Sequence, residues 1–258
     1  MIHARAQASG LPDDIAPERR VRLGMLTPSS NTVLEPVCAE MLRSAPEVSL
    51  HFGRFRVTEI SLRPEATDQF AREAMLRAAS LLSDAKVNAI CWNGTSASWL
   101  GLNRDRDLCS AIAHSTGVPA TSSVLAMFEI LRKAGLKRVG LVTPYIENVQ
   151  ALIAKTFAAE GLSVVSDRRL GLSENFAFAN VRAREIAEMI RGVAAEGAEA
   201  ALVLCTNLRA APLAPSLENE IGVPILDSIA TAAWGALRLA GVSPRRIAGW
   251  GRLFQEFE

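Results

Sequence analysis

The sequence has no stretch that approaches the roughly 18–20 consecutive apolar residues a membrane-spanning helix needs. Its longest candidate, Ile229 to Val242, is short and carries Arg238. No excess of charge of either sign is present: 28 Lys and Arg against 27 Asp and Glu leave a formal net charge of +1. Nucleic-acid binding draws on a basic surface, so neither a nucleic-acid nor a membrane partner is expected. Histidine is scarce, and His3, His51 and His114 show no ligand spacing, which speaks against a histidine zinc site. Cysteine is scarce too. Cys38, Cys91, Cys109 and Cys205 are widely spaced and form no CxxC, so a disulfide framework is not expected and a reducing, cytoplasmic setting is. Residues 1–20 hold Arg5, Asp13, Asp14, Glu18 and two prolines but no apolar core, and read as a loosely ordered leader rather than a secretory signal. Missing as well are GxxxxGK[ST], a GxGxxG after the first strand and a GxSxG elbow, so no nucleotide cofactor or serine nucleophile has an anchor.

What is present is an ordinary globular balance, 49% hydrophobic and 21% charged, in a chain long enough for one large domain or two small ones. Short apolar runs alternate with longer amphipathic stretches, the pattern of βα units around a parallel sheet. Strands are expected at Val21–Leu26, Val48–Val57, Val87–Asn93, Val139–Thr143, Leu162–Ser166, Ala200–Cys205 and Val223–Leu226. Helices are expected at Ala66–Ser83, Arg104–Thr116, Ser123–Lys133, Ile146–Ala159, Val181–Glu196 and Ile229–Leu239. Gly135, Gly161 and Gly241 stand where helix stops belong.

The chain also repeats itself. Leu23-Gly24-Met25-Leu26-Thr27-Pro28 matches Val139-Gly140-Leu141-Val142-Thr143-Pro144. Thr116-Gly117-Val118-Pro119 with Ser122-Ser123 matches Ile221-Gly222-Val223-Pro224 with Asp227-Ser228. Between them, the run ending Gly94-Thr95-Ser96 stands where the run ending Cys205-Thr206-Asn207 stands in the second half. Three matches in one order imply an α/β fold of two pseudo-symmetric, Rossmann-like halves, doubly wound on mainly parallel sheets, with the active site between them. The halves are expected over 21–122, joined by the C-terminal segment 231–258, and over 123–230.

In such sheets ligands bind beyond the carboxyl ends of the strands. Four polar turns fall there: Thr27 to Asn31, Gly94 to Ser96, Thr143 to Tyr145 and Cys205 to Asn207. Helices that follow them would aim backbone N–H groups into one crevice, which suits a carboxylate. Cys205 ends an apolar strand, where a small buried hydrophobe is the plain reading. Its place at the strand-to-helix turn, with polar Thr206 and Asn207 after it, favours a chemical role, and a helix N-terminus there would lower the thiol pKa. Tyr145, the only tyrosine, follows a Thr-Pro turn. Asn31 can cap a helix or hold a ligand, Thr95 and Ser96 likewise, and Asn175 lies in a loop as a turn former. Cys38, Cys91 and Cys109 read as structural. Trp92, Trp99, Phe176, Phe178 and Leu208 could line a pocket, with core packing the plainer role.

Together, Pro28-Ser29-Ser30-Asn31-Thr32, Gly94-Thr95-Ser96, Val142-Thr143-Pro144-Tyr145 and Cys205-Thr206-Asn207 resemble the Asp/Glu racemase superfamily, in the branch of maleate cis-trans isomerase and arylmalonate decarboxylase. The resemblance runs from about residue 21 to about 240. It implies two Rossmann-like halves, no metal or organic cofactor, a small dicarboxylate or malonate-like substrate and a homo-oligomer. Cys205 matches the second-half cysteine, while the first-half position falls on Gly94. Asn31 and Tyr145 match the substrate-holding pair, Thr95 and Ser96 the carboxylate-binding pair, and Asn175 a further carboxylate-binding Asn; Gly94 and Thr206 complete the implied site. With Gly94 in place of the first cysteine, the resemblance implies a lyase of the arylmalonate decarboxylase kind, in which Cys205 protonates an enediolate. Two alternatives stand beside it: a maleate isomerase-like enzyme, with Cys205 in an altered role or Cys91 swung into reach, and a silent carboxylate-binding protein. Decarboxylases of this kind carry glycines after the cysteine, where this chain has Thr206 and Asn207.

Overall fold

The computed structural model describes residues 20–258. The leader expected over 1–20 lies, but for Arg20, outside the described residues. Two four-stranded sheets, each parallel throughout, form the frame. The first half runs β1 (Val21–Pro28), α1 (Leu34–Met41), β2 (Val48–Phe55), α2 (Pro64–Asp68), α3 (Arg72–Asp84), β3 (Ala89–Trp92), α4 (Ala97–Leu100), α5 (Leu102–Thr116), β4 (Ala120–Ser122) and α6 (Ser123–Ala134). The second runs β5 (Arg138–Thr143), α7 (Glu147–Ala159), β6 (Ser163–Arg169), α8 (Asn175–Phe178), α9 (Ala183–Ala195), β7 (Ala200–Val203), α10 (Ala214–Ile221), β8 (Ile225–Asp227), α11 (Ser228–Leu239) and α12 (Leu253–Glu256). Strand orders are β2-β1-β3-β4 and β6-β5-β7-β8, the same topology twice.

The central strands are buried on both faces, which is why they are written as unbroken apolar runs rather than alternating ones. Helices cover those faces with a one-sided stripe. In α9 that stripe is Ile186, Ala187, Met189, Ile190 and Val193, at helical spacing. The repeated strand glycine has a packing reason. A Cβ on Gly140 would come within 2.6 Å of Val193 on α9, and one on Gly24 would press on Leu82 of α3 at 3.3 Å. Each glycine lets the helix after the second strand of its half lie close on the first. Gly135, Gly161 and Gly241 do carry positive φ (69°, 82° and 75°) at helix stops.

Two differences from expectation matter for the site. The helix expected over Ala66–Ser83 is broken into α2 and α3, because Gln69 turns back to accept hydrogen bonds from the Thr58 N–H at 2.6 Å and the Thr58 hydroxyl at 3.2 Å. The break sends Phe70 into the core. Strand β4, three residues long, was not expected, and it ends in Ser122, whose hydroxyl accepts from Leu125 N–H and caps α6. Its repeat-mate Asp227 caps α11 through Ile229 and Ala230 N–H. α11 lies against β3 and β4 of the first sheet and against α6, so the C-terminal segment is wound back onto the first half.

Candidate active site

The carboxyl ends of β1, β3, β5 and β7 meet. Asn31 donates to the Thr206 carbonyl and hydroxyl, both at 3.0 Å, and its own carbonyl oxygen accepts from Val33 and Leu34 N–H at the start of α1. Asn207 mirrors it from the other half: its carbonyl oxygen accepts from Thr32 and Val33 N–H, and its amide donates to the Asn175 carbonyl at 2.6 Å. The Thr206 hydroxyl donates to the Asn93 carbonyl, and the Ser123 hydroxyl pins the Gly94 carbonyl at 2.6 Å. With the Thr95 and Tyr145 hydroxyls sharing a hydrogen bond at 2.6 Å, four turns from two halves are tied by buried hydrogen bonds, each costly to leave unmade.

Within this frame lies a cavity of about 20 Å³ lined by Gly94, Thr95, Ser96, Tyr145, Asn175, Cys205 and Thr206. Its apolar walls come from Pro28, Val57, Ile60, Phe70, Trp92 and Trp99. Every site residue expected from sequence lies on the cavity except Asn31, which stands behind it as the strut between α1 and Thr206. Of the aromatic candidates, Trp92 and Trp99 line the cavity. Phe178 packs on Tyr145, with ring centroids 5.7 Å apart, Phe176 is half exposed and Leu208 is buried. Phe70, Val57 and Ile60 are not anticipated by the sequence; Val57 and Ile60 come from the β2–α2 connection and Phe70 from the break between α2 and α3, neither of which carries a motif. About one water needs roughly 10–15 Å³, so a dicarboxylate enters only when a wall moves.

Two connections that bring Ile60 and Asn175 to the cavity are paired with each other. Glu59 and Glu174 form an antiparallel bridge, Ile60 N–H donates to the Ser173 carbonyl at 2.8 Å, and Asn175 N–H to the Thr58 carbonyl at 3.0 Å. These bonds join the β2–α2 connection of one half to the β6–α8 connection of the other.

Cys205 is 3% exposed. Residues 206–209 form a turn rather than the start of a helix, and no stable helical N-terminus faces the sulfur. The thiol receives a hydrogen bond from Asn207 N–H at 3.3 Å, and the Tyr145 hydroxyl, close by, also favours its ionised form, while Leu208 N–H donates to the Cys205 carbonyl at 3.2 Å. Burial outweighs them and pushes the thiol up to about 12, with the nearby Asp227 carboxyl adding to the rise. This corrects the expectation of a lowered pKa: the group is a thiol at neutral pH, a proton donor rather than a resting nucleophile. Tyr145 is raised well above its ordinary value by burial, stays protonated, and shares a 2.6 Å hydrogen bond with Thr95.

Nothing acid or basic stands opposite. The side Gly94 faces is filled by the Trp92 indole, and a Cβ on Gly94 would lie 1.9 Å from Trp92 Cζ2. Cys91 does not reach the cavity. It is buried inside β3, directed to the Trp92 carbonyl at 3.7 Å, and held protonated by burial. Among the described residues, no group of three or more His, Cys, Asp or Glu could hold a metal ion, and no helix is long and apolar enough to cross a membrane.

The arylmalonate decarboxylase family model matches residues 24–254. Arylmalonate decarboxylase of Bordetella bronchiseptica is 30% identical over 237 residues, covering 91% of this chain and 96% of that protein. A structure of unliganded arylmalonate decarboxylase superimposes with a TM-score of 0.77 at 29% identity, over 91% of this chain and 99% of the other. Maleate cis-trans isomerase of Nocardia farcinica, in a cysteine-to-serine mutant with a covalently bound succinylcysteine intermediate, gives a TM-score of 0.83 at 26% identity, over 91% and 98%. The two-half α/β fold is therefore shared with these enzymes, and the chain belongs to the arylmalonate decarboxylase family.

Proposed function

We propose that the protein decarboxylates a malonate-type dicarboxylate and protonates the resulting enediolate on one face, with Cys205 as the proton donor. The observation that carries this reading is the lone thiol: Cys205 is the one titratable acid on the cavity besides Tyr145, it is held protonated, and an indole stands where a second cysteine would be.

The steps balance on groups of this chain. One carboxylate of the substrate sits on the hydroxyls of Thr95, Ser96 and Tyr145; the other lies against apolar Val57, Ile60 and Phe70, which solvate charge poorly. Cleavage of that second C–C bond releases neutral CO2 and passes the electron pair into the retained carboxylate, giving an enediolate. The hydroxyl donors meet the charge where it develops, commonly the largest single contribution to such catalysis. Cys205 Sγ–H then protonates the α-carbon. The thiolate left behind is stabilised by Asn207 N–H and the neighbouring Tyr145 hydroxyl until water returns a proton. Asn31 and Asn207 act as positioning residues that hold the four turns in register.

Support for an isomerase is weaker, since that chemistry needs a reacting group on the face that Trp92 closes. The test is CO2 release from phenylmalonate by the purified protein beside Cys205→Ala. Release that vanishes in the variant supports the reading. Maleate converted to fumarate, or release that survives in the variant, overturns it.

A further inference from the structure

Behind the catalytic cavity lies a second one of about 190 Å³, formed where the N-terminal turns of α3 and α5 splay apart. Phe70, Trp92 and Ser96 line both, so these three side chains are the partition between a 20 Å³ site and a hollow nearly ten times larger. The hollow opens to solvent past the exposed Arg72, Arg104 and Asp107, and it exceeds the roughly 150 Å³ that suffices to hold benzene in an apolar cavity. The partition is aromatic and stacked, not bonded: Trp92 packs on Phe55 and Phe70 with ring centroids 5.1 and 6.4 Å apart, and its indole Nε1–H is buried without a partner.

The hollow has a second unfinished polar group. Asp105, on α5, is 2% exposed and lines it. The Ser122 hydroxyl lies near its carboxyl, and Oδ2 has no partner. Buried polar atoms are nearly always satisfied, and an orphan on a cavity wall is a place where a ligand group would complete the set. Burial pushes Asp105 up to about 7, with the nearby Ser122 hydroxyl and the Arg104 charge drawing it back down. That is the strain an incoming donor relieves.

We propose that this hollow is a second compartment of the active site, opened when Trp92 turns aside, and that it receives the non-reacting substituent of the substrate: an aryl-sized group ending in a neutral hydrogen-bond donor, such as a hydroxyl, set against Asp105. The charged residues of the hollow balance, Arg72 and Arg104 against Asp105 and Asp107, which suits a substituent without a net charge. Trp92 then does two things in this chain. It closes the face on which a second cysteine would act, and it gates the room for the substituent. The substrate class rests on the decarboxylase reading; the compartment does not.

The test therefore uses binding to Cys205→Ala, with propionate, phenylacetate and 4-hydroxyphenylacetate titrated calorimetrically. The compartment is blocked from its far wall by Leu108→Trp, or by Met75→Phe from α3 should the first variant lose its fold by circular dichroism; neither residue touches the catalytic cavity. Phenylacetate is expected to bind about tenfold or more tighter than propionate, an advantage that blocking removes while propionate affinity holds within about threefold. Adding the hydroxyl should tighten binding by about tenfold again, and Asp105→Ala should bring the two aryl acids level. Blocking that leaves the aryl advantage untouched, or weakens all three acids alike, overturns the compartment. Equal binding of the two aryl acids with Asp105 intact overturns the donor assignment. Absence of decarboxylation alongside the predicted binding pattern would refute the reaction alone.

Discussion

The indole of Trp92 fills the space that any side chain on Gly94 would enter, with Trp92 Cζ2 1.9 Å and Cη2 2.4 Å from the position of a Cβ there. The residue two places back along β3 has taken the room of the missing group. A cysteine therefore cannot be restored at 94 without moving the ring. Gly94→Cys alone should cost about 1–3 kcal/mol of stability through overpacking and should gain no second-face chemistry. Trp92→Leu with Gly94→Cys should be more stable than the sum of the two single costs and should exchange the α-proton of a chiral product acid. A urea double-mutant cycle and NMR in D2O check both. Strict additivity would contradict the contact.

Tyr145 joins the donor set to the thiol: its hydroxyl is bonded to Thr95 at 2.6 Å and stands near Cys205. Tyr145→Phe keeps the ring packing on Trp99 and Phe178 and removes only the hydroxyl. We expect kcat to fall by about 10²–10³ with little change in KM, since the hydroxyl acts where charge develops. A rise in KM with kcat intact would make Tyr145 a ground-state contact instead.

Asn207 holds Val33 N–H and the Asn175 carbonyl, both buried. Asn207→Ala should lower stability by about 1–3 kcal/mol in denaturant titration, the cost of leaving such groups unpaired. A loss of activity at unchanged stability would make it a substrate contact.

Asp227 is held at about 7 by burial, against 3.8 for the group in the open, although Ala230 and Ile229 N–H donate to it. Between about pH 4 and 7 the folded chain thus keeps a proton that the unfolded chain has released. Stability falls as pH rises through that window and levels off above it, where both states are ionised. Asp105 adds to the same slope. The thermal midpoint should therefore drop from pH 5 to pH 8, by about 2–4 °C per kcal/mol in a chain of this size. Asp227→Asn keeps the oxygen that caps α11 and should flatten the decline. An unchanged slope in that variant would show that Asp227 does not titrate on folding.

Much of this was legible in the chain before any coordinates. The repeat is written in residues with fixed jobs: Gly24 and Gly140 under a helix, Ser122 and Asp227 as caps, Thr95 and Thr206 at matching turns. Those jobs are local, and local sequence expresses them. The walls of the site were not legible. Phe70 is there because Gln69 breaks a helix to reach Thr58, a tertiary demand that a continuous helical pattern hides. Trp92 looked like core because it is core on one side and cavity wall on the other. The thiol pKa departs from its expected direction because the turn is written in the sequence and the burial around it is not.

The most direct test of the account is proton and deuterium NMR of phenylmalonate turned over in D2O, beside Cys205→Ala. One proton donor on one face predicts loss of CO2 and a single deuterium at the α-carbon of the phenylacetate formed, stereochemically pure, with no further exchange of the product and no turnover in the variant. A racemic label, continued exchange of the product, or undiminished turnover without the Cys205 thiol would contradict it.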